Sequence, residues 1–136
     1  MQLQNDGKII LCGLGGFSAT GADFTLVTYN IDGSLDRSYG DTGVVNINFN
    51  GNDDEIWAMC LMPDGELIAA VYAIIGTNES FALARVKTDG TLDSAFGVNG
   101  KISTQILSNN DRVYAVALQP DGKIIAGGFM VKQFSK

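Results

Sequence analysis

The sequence predicts an all-β chain of short antiparallel strands, and three observations lead there. Among 136 residues there are 17 glycines but 2 prolines, a composition of many tight turns between short strands. No stretch sustains the 3.6-residue apolar period of a helix. A unit also repeats: Asp32-Gly-Ser-Leu-Asp-Arg-Ser-Tyr-Gly40 returns as Asp89-Gly-Thr-Leu-Asp-Ser-Ala-Phe-Gly97, an offset of 57 residues. At the same offset Phe24-Thr-Leu26 meets Phe81-Ala-Leu83, Asp54 meets Asp111, and Trp57-Ala-Met-Cys-Leu61 meets Tyr114-Ala-Val-Ala-Leu118. A shorter phrase occurs three times, as Asp6-Gly7-Lys8, Asp64-Gly65-Glu66 and Asp121-Gly122-Lys123.

One unit reads as four strands. Residues 55–62 (EIWAMCLM) are apolar on both sides of a two-residue period, with Trp57, Met59 and Leu61 against Ala58, Cys60 and Met62. A strand apolar on both faces is sandwiched between layers. Pro63-Asp64-Gly65 turns the chain, the glycine supplying a positive φ. Residues 66–72 (ELIAAVY) and 80–86 (SFALARV) form the second and third strands, with a loop around Gly76-Thr77-Asn78 between them. After Thr88-Asp89-Gly90 and the Leu92 to Gly97 stretch comes a fourth strand, residues 101–106 (KISTQI). There Ile102, Thr104 and Ile106 alternate with Lys101, Ser103 and Gln105, as in a half-exposed strand. Val45, Ile47 and Phe49 alternate with Asn46 and Asn48 in the same way one unit earlier.

Three mostly buried strands followed by one amphipathic strand describe a blade of a β-propeller, whose inner strands are covered by neighbouring blades. The phrases QPDGKII, FALARV, DGTLDSAFG and VYAVALQPDGK resemble the delta-60 repeat family of bacterial β-propellers over nearly the whole chain. The departures are Asn5 in place of the turn proline and Tyr39 where Phe96 keeps the usual phenylalanine. The resemblance implies a propeller in secreted, surface-associated or phage-related bacterial proteins. It supplies no catalytic residues.

The expected organisation is a single propeller segment over 1–136. Residues 1–54 form a blade lacking its first strand, 55–111 a complete blade, and 112–136 the first two strands of a third. About two and a quarter blades cannot close a ring, which takes four to eight. Open blade faces and unpaired edges would invite other strands. The expected partners are therefore copies of the chain itself or neighbouring blades of a longer chain, joined as a ring or a filament.

Composition removes several functions. A net charge of −6 with scattered Lys and Arg argues against nucleic acid. The absence of histidine removes Ser-His-Asp and Cys-His nucleophile systems and HExxH zinc sites. No apolar run reaches the roughly 20 residues of a membrane-spanning helix. No basic-then-apolar leader opens the chain. The two cysteines form no CxxC pair.

Each chemically suggestive stretch has a plainer reading. Cys12-Gly-Leu-Gly-Gly16 has the glycine density of a phosphate loop but neither the following helix nor a Lys-Ser/Thr, so it reads as a strand entering a glycine loop. The oxygen-rich run Asn50 to Glu55 could ligate calcium, but it lacks an EF-hand pattern and reads as a solvated turn capping strand ends. Asp32 with Asp36, and Asp89 with Asp93, could do acid–base work. A catalytic pair would not recur in each repeat, so these aspartates are expected to bond nearby backbone amides. Trp57 could stack on a sugar, but its counterpart Tyr114 makes a core position the expectation. Cys12 and Cys60 are expected to be small buried residues. Asn78-Glu79-Ser80 is formally a glycosylation sequon. The expectation is a non-enzymatic structural or interaction module, with no catalytic, cofactor-binding or metal residues and an extracellular, cell-surface or virion-associated place, the cytoplasm remaining open. A carbohydrate-binding propeller is the alternative, and a carboxylate-based hydrolase domain the third reading.

Overall fold

The computed structural model describes residues 1–18, 21–49, 53–106 and 110–130, with the side chains of residues 16–18 outside that description. Ten strands run in order: β1 (Gln2–Leu3), β2 (Ile9–Ser18), β3 (Gly21–Tyr29), β4 (Val44–Ile47), β5 (Asp54–Leu61), β6 (Leu67–Ile75), β7 (Asn78–Val86), β8 (Lys101–Thr104), β9 (Asp111–Leu118) and β10 (Ile124–Met130). They form two four-stranded antiparallel sheets, β1-β2-β3-β4 and β5-β6-β7-β8, and a two-stranded sheet of β9 and β10. The described residues contain no helix. This is the meander of propeller blades, with two four-stranded blades and two strands of a third side by side.

The first blade has more of its first strand than expected. Gln2 and Leu3 pair with Ile10 and Ile9 as a two-residue stub. Such a stub carries too little pattern to be read from residues alone. The side chain of Gln2 donates to the Met59 carbonyl at 2.8 Å, so the stub is fixed across the seam to the next blade. The blade limits also shift by one residue. Asp54 pairs with Ala73 and Asp111 with Met130, so each aspartate opens a blade instead of closing the one before. The outer strand of the second blade ends at Thr104, short of Ile106.

The turns follow the repeated phrases. In Pro63-Asp64-Gly65, Gly65 has φ 88° and Asp64 Oδ1 accepts the Glu66 N–H at 3.0 Å. The Asp6 and Asp121 turns do the same with Lys8 and Lys123.

The main core lies in the seam between the first two blades. Ile10, Phe24, Leu26, Val45 and Ile47 of the first meet Met59, Leu67, Ala69, Val71, Ala82, Ala84 and Val86 of the second. Each large apolar side chain buried there contributes on the order of 1.5–3 kcal/mol, against about 1 kcal/mol for a hydrogen bond. Apolar packing therefore dominates this seam. In the second seam, β9 lies across β5, β6 and β7 with Val113 fully buried.

Candidate functional site

The Asp-Gly-x-Leu-Asp loops are the most polar recurring feature, and all four aspartates are turn acceptors. Asp32 Oδ1 accepts the Ser34 N–H at 2.9 Å and its hydroxyl at 2.7 Å, and Asp89 Oδ1 does the same with Thr91 at 2.8 and 2.7 Å. Asp36 Oδ1 accepts from the Ser38 amide and hydroxyl, while Asp93 Oδ1 accepts from the Ala95 amide. The Ser38 hydroxyl first, and then Lys8, pull the Asp36 carboxyl down to about 2. The Ala95 amide and Arg85 lower Asp93 as well. Carboxyls held this low are ionised at neutral pH and cannot donate a proton there.

The cation beside the second aspartate differs between blades. In the first, Lys8 Nζ sits 2.9 Å from Asp36 Oδ2. In the second, the corresponding turn residue is Glu66, and Arg85 pairs with both Glu66 and Asp93 while stacking over Phe96 at 4.9 Å. Thr28 occupies the Arg85 position in the first blade. The loop thus keeps one balancing cation, delivered from a different strand.

A second polar feature is the cleft of about 350 Å³ between the blades, bordered by Leu14, Ala22, Asp53, Asp54, Glu55 and Tyr72. Residues 50–52 of the oxygen-rich run lie outside the described residues. Asp53 is exposed as expected and accepts the Ala22 N–H at 2.8 Å. Asp54, expected in a solvated turn, is instead fully buried at the head of β5. Its Oδ2 accepts the Phe49 N–H at 2.6 Å, and its Oδ1 has no hydrogen-bond partner among the described residues. Asp111 Oδ2 receives the Ile106 N–H in the same way at 2.8 Å. The expectation of strand-end capping holds, but the cap sits inside the seam.

Burial pushes the Asp54 carboxyl up to about 6, with nearby Asp23 adding to the rise. Its folded value lies above the unfolded one near 4, so its contribution to stability is full below pH 4. It is lost as pH rises through 6. Two pK units correspond to about 3 kcal/mol. The Asp54→Asn protein is expected to lose this part of the dependence of melting temperature on pH between 4 and 7. Parallel curves for the two proteins across that window would contradict it.

The aromatic pair departs most from expectation. Trp57, expected in the core, is 45% exposed, and Tyr114 is 44% exposed. The cause is a bulge. Ile56 pairs with Val71 and Ala58 with Ala70, so Trp57 is an extra residue in the ladder. Tyr114 is extra in the same way between Val113 and Ala115. A bulge re-aims the side chain it inserts. The two rings meet edge to face with centroids 5.1 Å apart across the second seam. Ile56 and Met59 then both point into the core.

Cys12-Gly-Leu-Gly-Gly16 lies wholly within β2, and no glycine loop interrupts it. A Cβ on Gly15 would stand 2.5 Å from Thr25 Oγ1, so any larger residue there obliges the Thr25 side chain to move. Cys12 and Cys60 are free and half-buried, and burial raises the Cys60 thiol. Asn78 opens β7. Among the described residues no three His, Cys, Asp or Glu side chains converge to hold a metal ion.

The strands, turns and loops of the first two blades can be set beside known families. A family described as "Domain of unknown function (DUF5122) beta-propeller" matches residues 4–39 and 63–96, just over half of the chain. The chain belongs to this β-propeller family. The two spans of the DUF5122 match begin at the turn phrases and end in the Asp-Gly-x-Leu-Asp loops. They take in β2 with β3 and β6 with β7. The resemblance to propeller repeats and the all-β blade architecture therefore both stand. No curated protein matches the chain. No helix among the described residues is long and apolar enough to cross a membrane.

Proposed function

We propose that this DUF5122 propeller segment is a non-enzymatic interaction module, an arc of blades completed by further blades. Those blades come from copies of itself or from neighbouring repeats of a longer chain. One comparison supports the reading. Phe24 and Leu26, whose blade is followed by a complete one, are 0% exposed. Phe81 and Leu83, the same positions in the blade followed by β9 and β10, are half-buried. Val45 and Ile47 are buried on the outer strand, while their counterparts Ile102 and Thr104 are half-buried and exposed. The sequence unit is the same, and burial tracks how much of a next blade covers it. Charges weigh against an enzyme, because the recurring aspartates are spent on turns and ion pairs. A place outside the cell, or on a cell or virion surface, is proposed with it on the family resemblance.

The exposed Trp57–Tyr114 pair favours a second reading, a carbohydrate-binding propeller with one stacking position per blade. One experiment separates the two. Light scattering after gel filtration is expected to show self-association of the 14.4 kDa chain without any ligand. A stable, well-folded monomer would overturn the first reading. Saturable binding of simple sugars by such a monomer, lost in Trp57→Ala, would transfer support to the second.

A further inference from the structure

The seams between blades have a direction. On the second blade, the face toward the first carries Leu67, Ala69, Val71, Ala82, Ala84 and Val86, all buried and half of them alanine. The first blade fills this face with Ile10, Phe24 and Leu26. The opposite face of the second blade offers Ile68, Phe81 and Leu83, large residues in register with Ile10, Phe24 and Leu26. They meet β9 and β10, where the Phe81 ring reaches to 2.7 Å of where a Cβ on Gly128 would stand. Each seam therefore sets large side chains of one blade onto small ones of the next.

Among the described residues, one face of each orientation is left unmated. On the outer side of the first blade, Leu11, Gly13, Thr25 and Val27 stand in register with Ala69, Val71, Ala82 and Ala84. They shape a groove of about 170 Å³ that ends at Tyr29. On the outer side of β10, Ile125 and Phe129 stand in register with Ile68 and Tyr72 and are 50% and 52% exposed. The residues named on both faces are uncharged, so the contact itself sets no like charges against each other, although each molecule bears −6.

We propose that the groove over Leu11, Gly13, Thr25 and Val27 receives the Ile125 and Phe129 face of a second copy, head to tail. This rests on the reading of the chain as an arc completed by further blades, and it names the partner and both faces. Such a contact is heterologous, because each copy gives one face and takes the other. A contact of this kind makes a specific prediction about mixtures. Leu11→Lys blocks only the groove, and Ile125→Lys blocks only the large-residue face. Both positions are at least 39% exposed, so neither change touches the core.

Each variant alone is expected to run as a monomer in light scattering, and to melt as the wild type does at a protein concentration too low for association. An equimolar mixture is expected to form a one-to-one dimer through the groove left intact on one and the face left intact on the other. Val27→Lys and Phe129→Lys should complement in the same way. If the wild type self-associates but either variant alone keeps its mass, or the mixture stays monomeric, the proposed pairing is overturned while the reading as a completed arc survives. A monomeric wild type overturns both.

Discussion

Replacing Phe24 with alanine is expected to cost about 3–5 kcal/mol of folding stability, and replacing Phe81 distinctly less. The two phenylalanines occupy one position of the repeat, 57 residues apart. Phe24 is sealed in the first seam, with the Phe49 ring 6.2 Å away. Phe81 is half-buried, and among the described residues β9 and β10 lie over it. The cost of a large-to-small change scales with the transfer term of the lost atoms plus the cavity left behind. At Phe24 both terms are full. At Phe81 part of the ring already meets water, so less transfer energy is lost and the void opens to solvent. Urea denaturation of both variants at one low protein concentration measures the difference. Concentration matters because association adds to apparent stability. Equal costs would mean that Phe81 is covered as completely as Phe24, and that the seams do not differ in the way their exposures indicate.

Most of the blade was readable because its signals are local. The turn glycines, the doubly apolar inner strands and the alternation of the outer strand each sit within ten residues. Repetition tests each of them a second time within the same chain. Features that depend on register were harder. The bulges at Trp57 and Tyr114 defeat a strict two-residue count, which places the tryptophan with Met59 and Leu61. A signal was present: Ile56 and Met59 are apolar three apart, as are Val113 and Val116, and a strand that buries both must insert a residue between them.

The charge exchange around the loops was half visible. Lys8 becomes Glu66 and Thr28 becomes Arg85 from one repeat to the next. Only the pairing of the strands shows that these two changes compensate beside Asp36 and Asp93. Asp54 was misjudged for a related reason. An acidic run looks solvated in isolation, and the burial of one carboxylate comes from the neighbouring blade packed over it. What one repeat does to the next is not written in either repeat alone.

Gly90→Ala is expected to destabilise by about 3–4 kcal/mol, and Gly33→Ala by about 1–2 kcal/mol. The two glycines hold the same place in the Asp-Gly-x-Leu-Asp turn, with φ of 86° and 83°. An L residue there pays the same left-handed strain in either blade. The surroundings differ. A Cβ on Gly33 would meet nothing within 4 Å, whereas one on Gly90 would stand 2.5 Å from the backbone nitrogen of Gly40 in the preceding blade. That nitrogen donates to the Asp89 carbonyl at 2.8 Å, so the added methyl must push on a hydrogen bond that crosses the seam. The single-blade strain cancels between the two variants, and the difference of roughly 2 kcal/mol belongs to the contact between blades. Denaturation midpoints of the two variants against wild type give that difference directly. A difference near zero would mean that the second blade can withdraw from the first at little cost. The loops would then be independent turns on a loosely held seam. A difference of the expected size makes the Gly40–Gly90 approach part of what sets the angle between successive blades, and hence how many are needed to close a circle.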